Sequence, residues 1–231
     1  MFRIRIQNKK KCIWYCSAVV SFLLFLLLLG WTNHLANTQD AQQMAGRWSE
    51  KKDVAQISCF FSSKAEVTED TIQSFEYSLK NVLQEASITE TSENPGARLW
   101  VDAYSADGKI TLVNGRNTLD ANAIGIGGDF FLFHPLKLIT GSYFSGNDLM
   151  QDYCIIDQDA AWQLFGSNDV VGMTVYIGNV PHIVTGVVRR PQGRMEKAAG
   201  LTSTVVYVSY ETLETYGTSN GINHYEIVMP N

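Results

Sequence analysis

The pattern of apolar and polar positions divides the chain into one apolar segment and a long mixed segment. The apolar segment runs from Cys12 to Trp31 (CIWYCSAVVSFLLFLLLLGW) and contains no charged residue. A helix rises ~1.5 Å per residue, so a run of this length spans roughly 30 Å, the thickness of a bilayer's hydrocarbon core. The pattern therefore predicts a membrane-spanning helix over 12–31, between a short tail over 1–11 and a polar stalk over 32–53.

Charges on either side of this run predict its orientation. Every charged residue before it is basic, namely Arg3, Arg5, Lys9, Lys10 and Lys11. Because short cytoplasmic segments retain positive charge, the N-terminus is predicted to be cytoplasmic and residues 32–231 extracytoplasmic, anchored in the cell membrane. The alternative is a cleaved signal peptide, whose apolar core is ~7–15 residues long and ends at a small-x-small site. The longer run and the poor site at 33–36 favour a retained anchor.

One stretch of the mixed segment has apolar residues at helical spacing over several turns. Apolar residues recur at helical spacing from position 72 onwards, at Ile72, Phe75, Leu79, Val82, Leu83 and Ala86. Thr68 is placed to cap this helix, and acidic residues follow in its first turn. The pattern predicts an amphipathic helix over 69–86 that packs on a sheet.

The remaining elements are predicted to be strands and short helices. Strand-like runs lie at 54–61, 99–104, 109–113, 122–126, 153–157, 174–177, 182–188, 204–209 and 225–229. Asp107-Gly108 and Gly178-Asn179 each stand between two such runs, which predicts two hairpins, and Asn114-Gly115 predicts a further turn. Short helices are expected after Gly127-Gly128-Asp129, at 160–165 and at 210–216. The fold class is therefore α+β, with one mixed sheet over 54–231.

The charge of the outer part limits its partners. The chain has 18 basic and 23 acidic residues, and all five charged residues before the apolar run are basic, which leaves 13 basic against 23 acidic residues, a net charge of −10. A phosphate-binding surface needs a positive field, so a nucleic-acid partner is not expected.

The four cysteines form two pairs, and each pair has two possible roles. Cys12 and Cys16 lie at the inner end of the apolar run, as acylation sites or as inert lipid-facing residues. Cys59 and Cys154 lie in strand-like runs in a compartment where disulfides form. Buried free thiols are favoured for this pair, with a disulfide as the alternative, since spacing along the chain does not indicate their separation.

Catalytic, cofactor and metal signatures are not found in the sequence. No Walker A motif is present, and Gly125-Ile126-Gly127-Gly128 lacks the dinucleotide spacing and is expected to be a turn. The four histidines are too widely spaced to predict a zinc pair on one face, so they are expected to be packed or exposed: His34, His134, His182 and His224. We therefore expect no enzyme activity, no cofactor and no metal site. Asp148, Asp152, Asp157 and Asp159 are expected to cap helices or face solvent, because a calcium loop needs tighter spacing.

One basic cluster lies in the outer part. Arg189, Arg190 and Arg194 surround Pro191-Gln192-Gly193. A solvated loop is the favoured interpretation, and a docking loop for an acidic surface of another extracytoplasmic protein is the functional alternative.

An ordered set of short motifs from Ala123 to Val188 resembles a known family. The segments are IGIGGDFF, LKLITGSYFSGNDL and CIIDQDAAWQLFGSNDVVGMTVYIGNVPHIVTGVV. They resemble the periplasmic core domain of MacB-type ABC-transporter permeases, also called FtsX-like permeases. The matching positions are Phe130 and Phe131; Leu138, Gly141, Phe144 and Asp148; Ala161, Leu164, Phe165 and Gly166; Val171, Gly172, Val175 and Ile177; Val184, Gly186 and Val187. Ser142 departs from the family, which often has Arg there. The turn-forming glycines and apolar spacing of these positions indicate a structural role.

The resemblance implies a permease subunit with one membrane helix, this outer domain and three further helices. In that family a cytoplasmic ABC ATPase drives motion that the permease relays to the outer domain for export or signalling. The chain ends at Asn231, where a second membrane helix is expected, so a fragment or truncated product is favoured. The alternative from another class is a membrane-tethered extracytoplasmic binding or sensor module that does not transport.

Overall fold

A computed structural model describes residues 2–37, 45–49, 54–89, 98–190, 193, 198 and 203–229. The chain divides into two compact units, Met1–Asp53 and Val54–Asn231. Arg194 and much of the predicted stalk lie outside the described residues.

The first unit contains the apolar helix. Helix α1 spans Phe2–Asn37 and the short helix α2 spans Ala45–Trp48. Within α1, Lys11–Leu35 is long and apolar enough to cross a membrane by length and composition, and none of it is buried. Helical structure therefore extends beyond the predicted 12–31 on both sides, because neither flank contains a helix-breaking residue.

The second unit contains one ten-stranded mixed sheet. The strands are β1 Gln56–Phe60, β2 Val101–Asn114, β3 Asn117–Gly128, β4 Leu138–Gly141, β5 Tyr153–Asp157, β6 Thr174–Ile177, β7 Val180–Val188, β8 Val205–Ser209, β9 Thr218–Ser219 and β10 His224–Val228. Their order is β1-β10-β2-β3-β8-β5-β7-β4, and β6 and β9 pair beside β2. Parallel pairs β3–β8 and β5–β7 stand among antiparallel ones, so the predicted mixed sheet is confirmed.

Four helices of the described residues cover this sheet. They are α3 Glu69–Glu85, α4 Phe130–Phe133, α5 Gln158–Phe165 and α6 Tyr210–Tyr216. Helices α3, α5 and α6 contribute Ile72, Leu164 and Leu213 to a single core on one face. Because side chains alternate along a strand, the strand residues between those of the core point to the opposite face of the sheet. There they lie next to the buried phenylalanines of α4. Each face of the sheet therefore has its own apolar layer.

Helix ends follow the predicted capping chemistry. Thr68 and Thr71 form a capping box at the start of α3. The Asp157 carboxylate accepts a hydrogen bond from the Ala160 amide, and Gly166 ends α5 with φ 73°. A side-chain oxygen at the N-cap satisfies an amide that the helix itself cannot. Helix α3 starts at Glu69 as predicted, whereas α5 starts at Gln158, two residues before the predicted 160.

The hairpin predicted at Asp107-Gly108 is wrong. Strand β2 continues through both residues, and the chain turns instead at Gly115, between β2 and β3. Gly108 is required for a close approach, because a methyl group there would overlap the Thr218 carbonyl oxygen. The turn expected within 125–128 is also wrong, since these residues form the end of β3.

The two outer cysteines are free and far apart. Cys59 is half-buried on β1, and Cys154 is fully buried on β5. Four strands lie between them in the sheet order, which at ~4.8 Å per strand is roughly 24 Å, well beyond the reach of a disulfide. The disulfide alternative is therefore wrong for these two residues. Burial raises the pKa of the Cys154 thiol to about 12, which keeps it unreactive.

Candidate functional site

The residues that carry the family resemblance lie in structural positions. The Phe131 ring stacks on Tyr143, with centroids 4.6 Å apart, and meets Phe144 edge-on. Asp148 accepts a hydrogen bond from the Ser145 amide at 3.0 Å. These contacts hold the loop between β4 and β5 against α4, and nothing in them presents a group for binding.

The other resemblance positions close turns or fill the core. Gly141 and Gly172 have φ values of 86° and 81°, and a methyl group at Gly186 would meet the Ser142 carbonyl oxygen at 2.9 Å. Leu164 is buried, and its carbonyl accepts hydrogen bonds from Asn114 and Asn117. Phe165 packs against the same core, and Gly166 caps α5. Backbone conformation and core packing account for these positions.

The basic cluster at the end of β7 contains one structural arginine. Arg190 Nη1 lies 2.7 Å from Asp159 Oδ2, and its Nη2 lies 3.0 Å from Asp157 Oδ2. Its side chain is 16% exposed, so this guanidinium is part of the fold and does not form a docking surface. That correction leaves Arg189, which is exposed, and Arg194, which lies outside the described residues, as the docking prediction.

The structure brings together two histidines that the sequence spacing separates. His134 follows α4, whereas His224 begins β10, and their ring centroids lie 5.5 Å apart. Glu226 joins them: its Oε2 lies 2.5 Å from His134 Nε2, and its Oε1 lies 3.8 Å from His224 Nε2. The expectation that no histidine pair shares a face is therefore wrong. We refer to His134, His224 and Glu226 as the histidine–glutamate cluster.

Neighbouring side chains orient the carboxylate of this cluster. Ser58 and Gln56 on β1 donate hydrogen bonds to Glu226 Oε1, at 2.9 and 2.8 Å. Burial on its own raises the pKa of Glu226, but the bond from His134, with smaller contributions from Ser58 and His224, brings that pKa below its ordinary value. The carboxylate is therefore held ionised, with Oε2 facing His134 and Oε1 facing His224.

Aromatic rings support both imidazoles. Phe60 stacks on His224 with centroids 4.5 Å apart, and Phe130 packs on His134 at 4.6 Å. Burial lowers the pKa of His224, and His134 lowers it further, against the opposing effects of Glu226 and Asp107. A cavity of about 250 Å³ opens beside the rings, lined by Phe60, Ser105, Asp107, Ile124, Phe130 and Asn223 as well as the two histidines.

Two of the three cluster residues can be placed side by side from the sequence. His224 and Glu226 are two residues apart on a strand, so they lie on one face. His134 is 90 positions earlier and reaches the cluster only because α4 packs over that face, which periodicity along the chain does not indicate.

A second cleft lies between α3 and the sheet. It has a volume of about 310 Å³ and is lined by Glu76, Lys80, Arg98, Leu99, Trp100, Asp102, Tyr104, Gly128 and Asn147. Burial, and then the charge and hydrogen bond of Asp102, raise the pKa of Glu76 to about 7. Tyr104 donates a hydrogen bond to Glu69 at 2.8 Å. Glu76 of α3 and Asp102 of β2 therefore form an acidic pair across this contact.

Comparison with known families identifies the domain. A family model described as MacB-like periplasmic core domain matches residues 20–229. The chain belongs to this family. The match begins within α1 and ends after β10, so the MacB-like core domain includes the whole described sheet. The resemblance found in the sequence over 123–188 is confirmed, together with the α+β fold class.

Curated relatives of the MacB-like chain are much longer than the segments they share with it. The macrolide export ATP-binding/permease protein MacB of Pasteurella multocida is 31% identical over 116 residues, which covers 49% of this chain and 18% of that protein. The protein of the same description from Neisseria gonorrhoeae is 35% identical over 91 residues, covering 38% of this chain and 14% of that protein. The chain thus aligns with less than a fifth of each relative.

Solved structures of similar domains were also found. The extracellular domain of the ABC-type transporter YknZ from Gram-positive bacteria is 22% identical, with a TM-score of 0.46, and covers 75% of this chain and 82% of that one. The periplasmic region of MacB from Actinobacillus actinomycetemcomitans is 24% identical, with a TM-score of 0.42, and covers 57% of this chain and 59% of that one.

Proposed function

We propose that this chain forms the outer domain and first membrane helix of an ABC-transporter permease, in which it relays ATPase-driven motion across the membrane for export or signalling. The observation that carries the proposal is the family match over 20–229, which joins the apolar helix and the sheet domain in one unit of sequence. The matched relatives are named as ATP-binding/permease proteins, which supports an ABC ATPase and further permease helices as partners.

The construction of the sheet suits mechanical relay. Strands β2 and β3 pair without a register shift from Ala103↔Gly128 to Asn114↔Asn117. Helices pack on both faces of these strands, and closely packed interiors transmit displacement because they deform little. A displacement applied at one end of the β2–β3 pair would therefore reach the other end. The domain acts without catalysis in this proposal.

The charge distribution supports the proposed orientation. The basic residues of the first eleven positions favour a cytoplasmic N-terminus, and the matched family is described as periplasmic. In this proposal, the ATPase partner lies on the side of the basic tail, and the sheet domain lies on the opposite side of the membrane.

Co-purification tests the permease role. The full chain is extracted from membranes of its own host in mild detergent and captured, and its partners are identified by mass spectrometry, with an unrelated single-helix membrane protein as control. We expect an ABC ATPase subunit in the sample and not in the control. Capture of an extracytoplasmic protein without any ATPase would contradict the proposal and favour the tethered binding or sensor module.

A further inference from the structure

We propose that the histidine–glutamate cluster is a binding site for a divalent transition-metal ion, with Zn²⁺ as the best-fitting ion. Its ligands would be Nε2 of His134, Nε2 of His224 and a carboxylate oxygen of Glu226. Two imidazoles and one carboxylate form a ligand set that Zn²⁺ accepts, with a fourth position left for water. The site is additional to the proposed permease role and does not depend on it.

The positions of the three ligand atoms support this assignment. One such atom from each residue lies within 4.8 Å of the other two. Ligands around a tetrahedral zinc at ~2.1 Å stand roughly 3.3 Å apart. His134 Nε2 lies 2.5 Å from Glu226 Oε2, and His224 Nε2 lies 3.8 Å from the other carboxylate oxygen, Oε1, so each imidazole faces a different oxygen and the two separations lie on both sides of that value. Small side-chain rotations would therefore bring all three ligands to one ion.

A simple ion pair does not account for the whole cluster. Both His134 Nε2 and His224 Nε2 are shielded from solvent, and among the described residues neither has a hydrogen-bond partner of ordinary geometry. His134 Nε2 contacts Glu226 Oε2 at 2.5 Å, whereas His224 Nε2 lies 3.8 Å from Glu226 Oε1. Buried polar atoms of this kind are rare and call for a specific explanation. A metal ion would accept the lone pair of each neutral imidazole and so give both nitrogens a partner.

The surroundings resemble the supporting shell of a metal site. The side chain of His134 is 36% exposed, yet its Nε2 is shielded, so this nitrogen points inward to the cluster. Ser58 and Gln56 fix the carboxylate, as outer partners of metal ligands do. The adjoining cavity gives an ion and its water a path from solvent.

Zinc titration of the full chain tests the site. The protein is purified in detergent without a polyhistidine tag, and ZnCl₂ is titrated against a chromophoric chelator. We expect one high-affinity Zn²⁺ per chain, and at least about 10-fold weaker affinity in His134→Gln, His224→Gln and Glu226→Gln. His34→Gln, in the apolar helix, is the matched control and should bind Zn²⁺ like the unsubstituted chain.

Two further measurements exclude folding defects and binding at thiols. Ser58→Ala keeps all three ligands and should weaken zinc affinity about 10-fold while circular dichroism is unchanged. Co²⁺ should give the visible absorption of nitrogen and oxygen coordination without a thiolate charge-transfer band. Equal zinc affinity in the ligand variants and the control, or a thiolate band that persists in His224→Gln, would overturn the proposal.

Discussion

Leu213 of α6 packs directly against the backbone of Gly108 in β2. A methyl group at Gly108 would come within 2.9 Å of Leu213 Cδ1, besides overlapping the Thr218 carbonyl oxygen. A methyl group at Gly125 on β3 would likewise come within 2.8 Å of Leu213 Cδ2. The two glycines form a flat platform on which α6 rests, and Leu213 is fully buried there.

Gly108→Ala should therefore destabilise the outer domain strongly. The clash is with backbone as well as side chain, so relief requires α6 and β9 to move, and we expect a loss of about 3 kcal/mol in the free energy of unfolding. Gly166→Ala is the matched control, because its φ of 73° is strained but no atom lies within 4 Å. It should cost about 1 kcal/mol. Urea unfolding of the full chain in detergent measures both, and equal losses would contradict the platform.

Arg190 should be important for stability and Arg189 should not. Removing the Arg190 guanidinium leaves the Asp157 carboxylate, which is 3% exposed, without its counter-charge. We expect Arg190→Ala to lower the free energy of unfolding by about 3 kcal/mol. Arg189 is exposed, and Arg189→Ala should change stability by less than about 0.5 kcal/mol. The same urea experiment compares the two, and a stability loss confined to Arg189→Ala would contradict the assignment.

Glu76 should make the outer domain more stable at low pH. Burial and the neighbouring Asp102 raise its pKa to about 7 in the folded state, above the unfolded value of 4.5. The folded state therefore binds this proton more tightly, and the added stability is complete below pH 4.5 and lost as the pH rises through 7. Because the side chain is partly solvated, we expect about 1 kcal/mol.

Glu76→Gln should reduce the change in unfolding free energy between pH 4.5 and 8. Glu85→Gln, an exposed glutamate at the end of the same helix, is the matched control and should leave the profile unchanged. Unfolding free energies measured from pH 4.5 to 8 decide between these outcomes. A Glu76→Gln profile as steep as that of the unsubstituted chain would show that the acidic pair is not coupled to folding.

His182 should have the opposite effect and make the outer domain less stable at low pH. Burial lowers its pKa below 6.5, against the weaker effects of its hydrogen bond to the Val180 carbonyl and of the Asp152 charge. Its other ring nitrogen lies 3.1 Å from the Thr212 hydroxyl inside the fold. Stability from this residue is present above pH 6.5 and lost as the pH falls through the folded value.

Histidine resonances measured by NMR test this directly. The His182 signal is assigned by its loss in His182→Asn, and its titration midpoint should lie below 6.5. A midpoint for His182 at or above 6.5 would contradict burial as the dominant effect.

The sequence predicted those parts of the fold that depend on local chemistry. The limits of β5 and the cap of α5 at Asp157 follow from a strand-like run and one carboxylate. Gly108 was misassigned because glycine permits both a tight turn and a close approach, and only the tertiary structure distinguishes the two uses. The short strands β4 and β9 were not predicted, since their few residues show no alternation.

The cleft at Glu76 and the histidine–glutamate cluster could not be predicted from the sequence, because tertiary contacts bring their residues together. On α3 the buried positions are Ile72 and Leu83, whereas Phe75 and Val82 are 46% and 60% exposed. The inward face therefore passes through Glu76, which an apolar pattern cannot indicate. His134 likewise joins β10 through the packing of α4, across a long separation in sequence.

The topology of the chain provides the most direct test of the account. With Cys12, Cys16 and Cys59 replaced by serine, Arg189→Cys and Lys9→Cys each add one accessible thiol, on the sheet domain and in the basic tail. A membrane-impermeant maleimide added to intact cells should label Arg189→Cys, and should label Lys9→Cys only after the membrane is permeabilised. Labelling of Lys9→Cys in intact cells, with Arg189→Cys protected until permeabilisation, would contradict the outer location of the sheet domain and the permease role built on it.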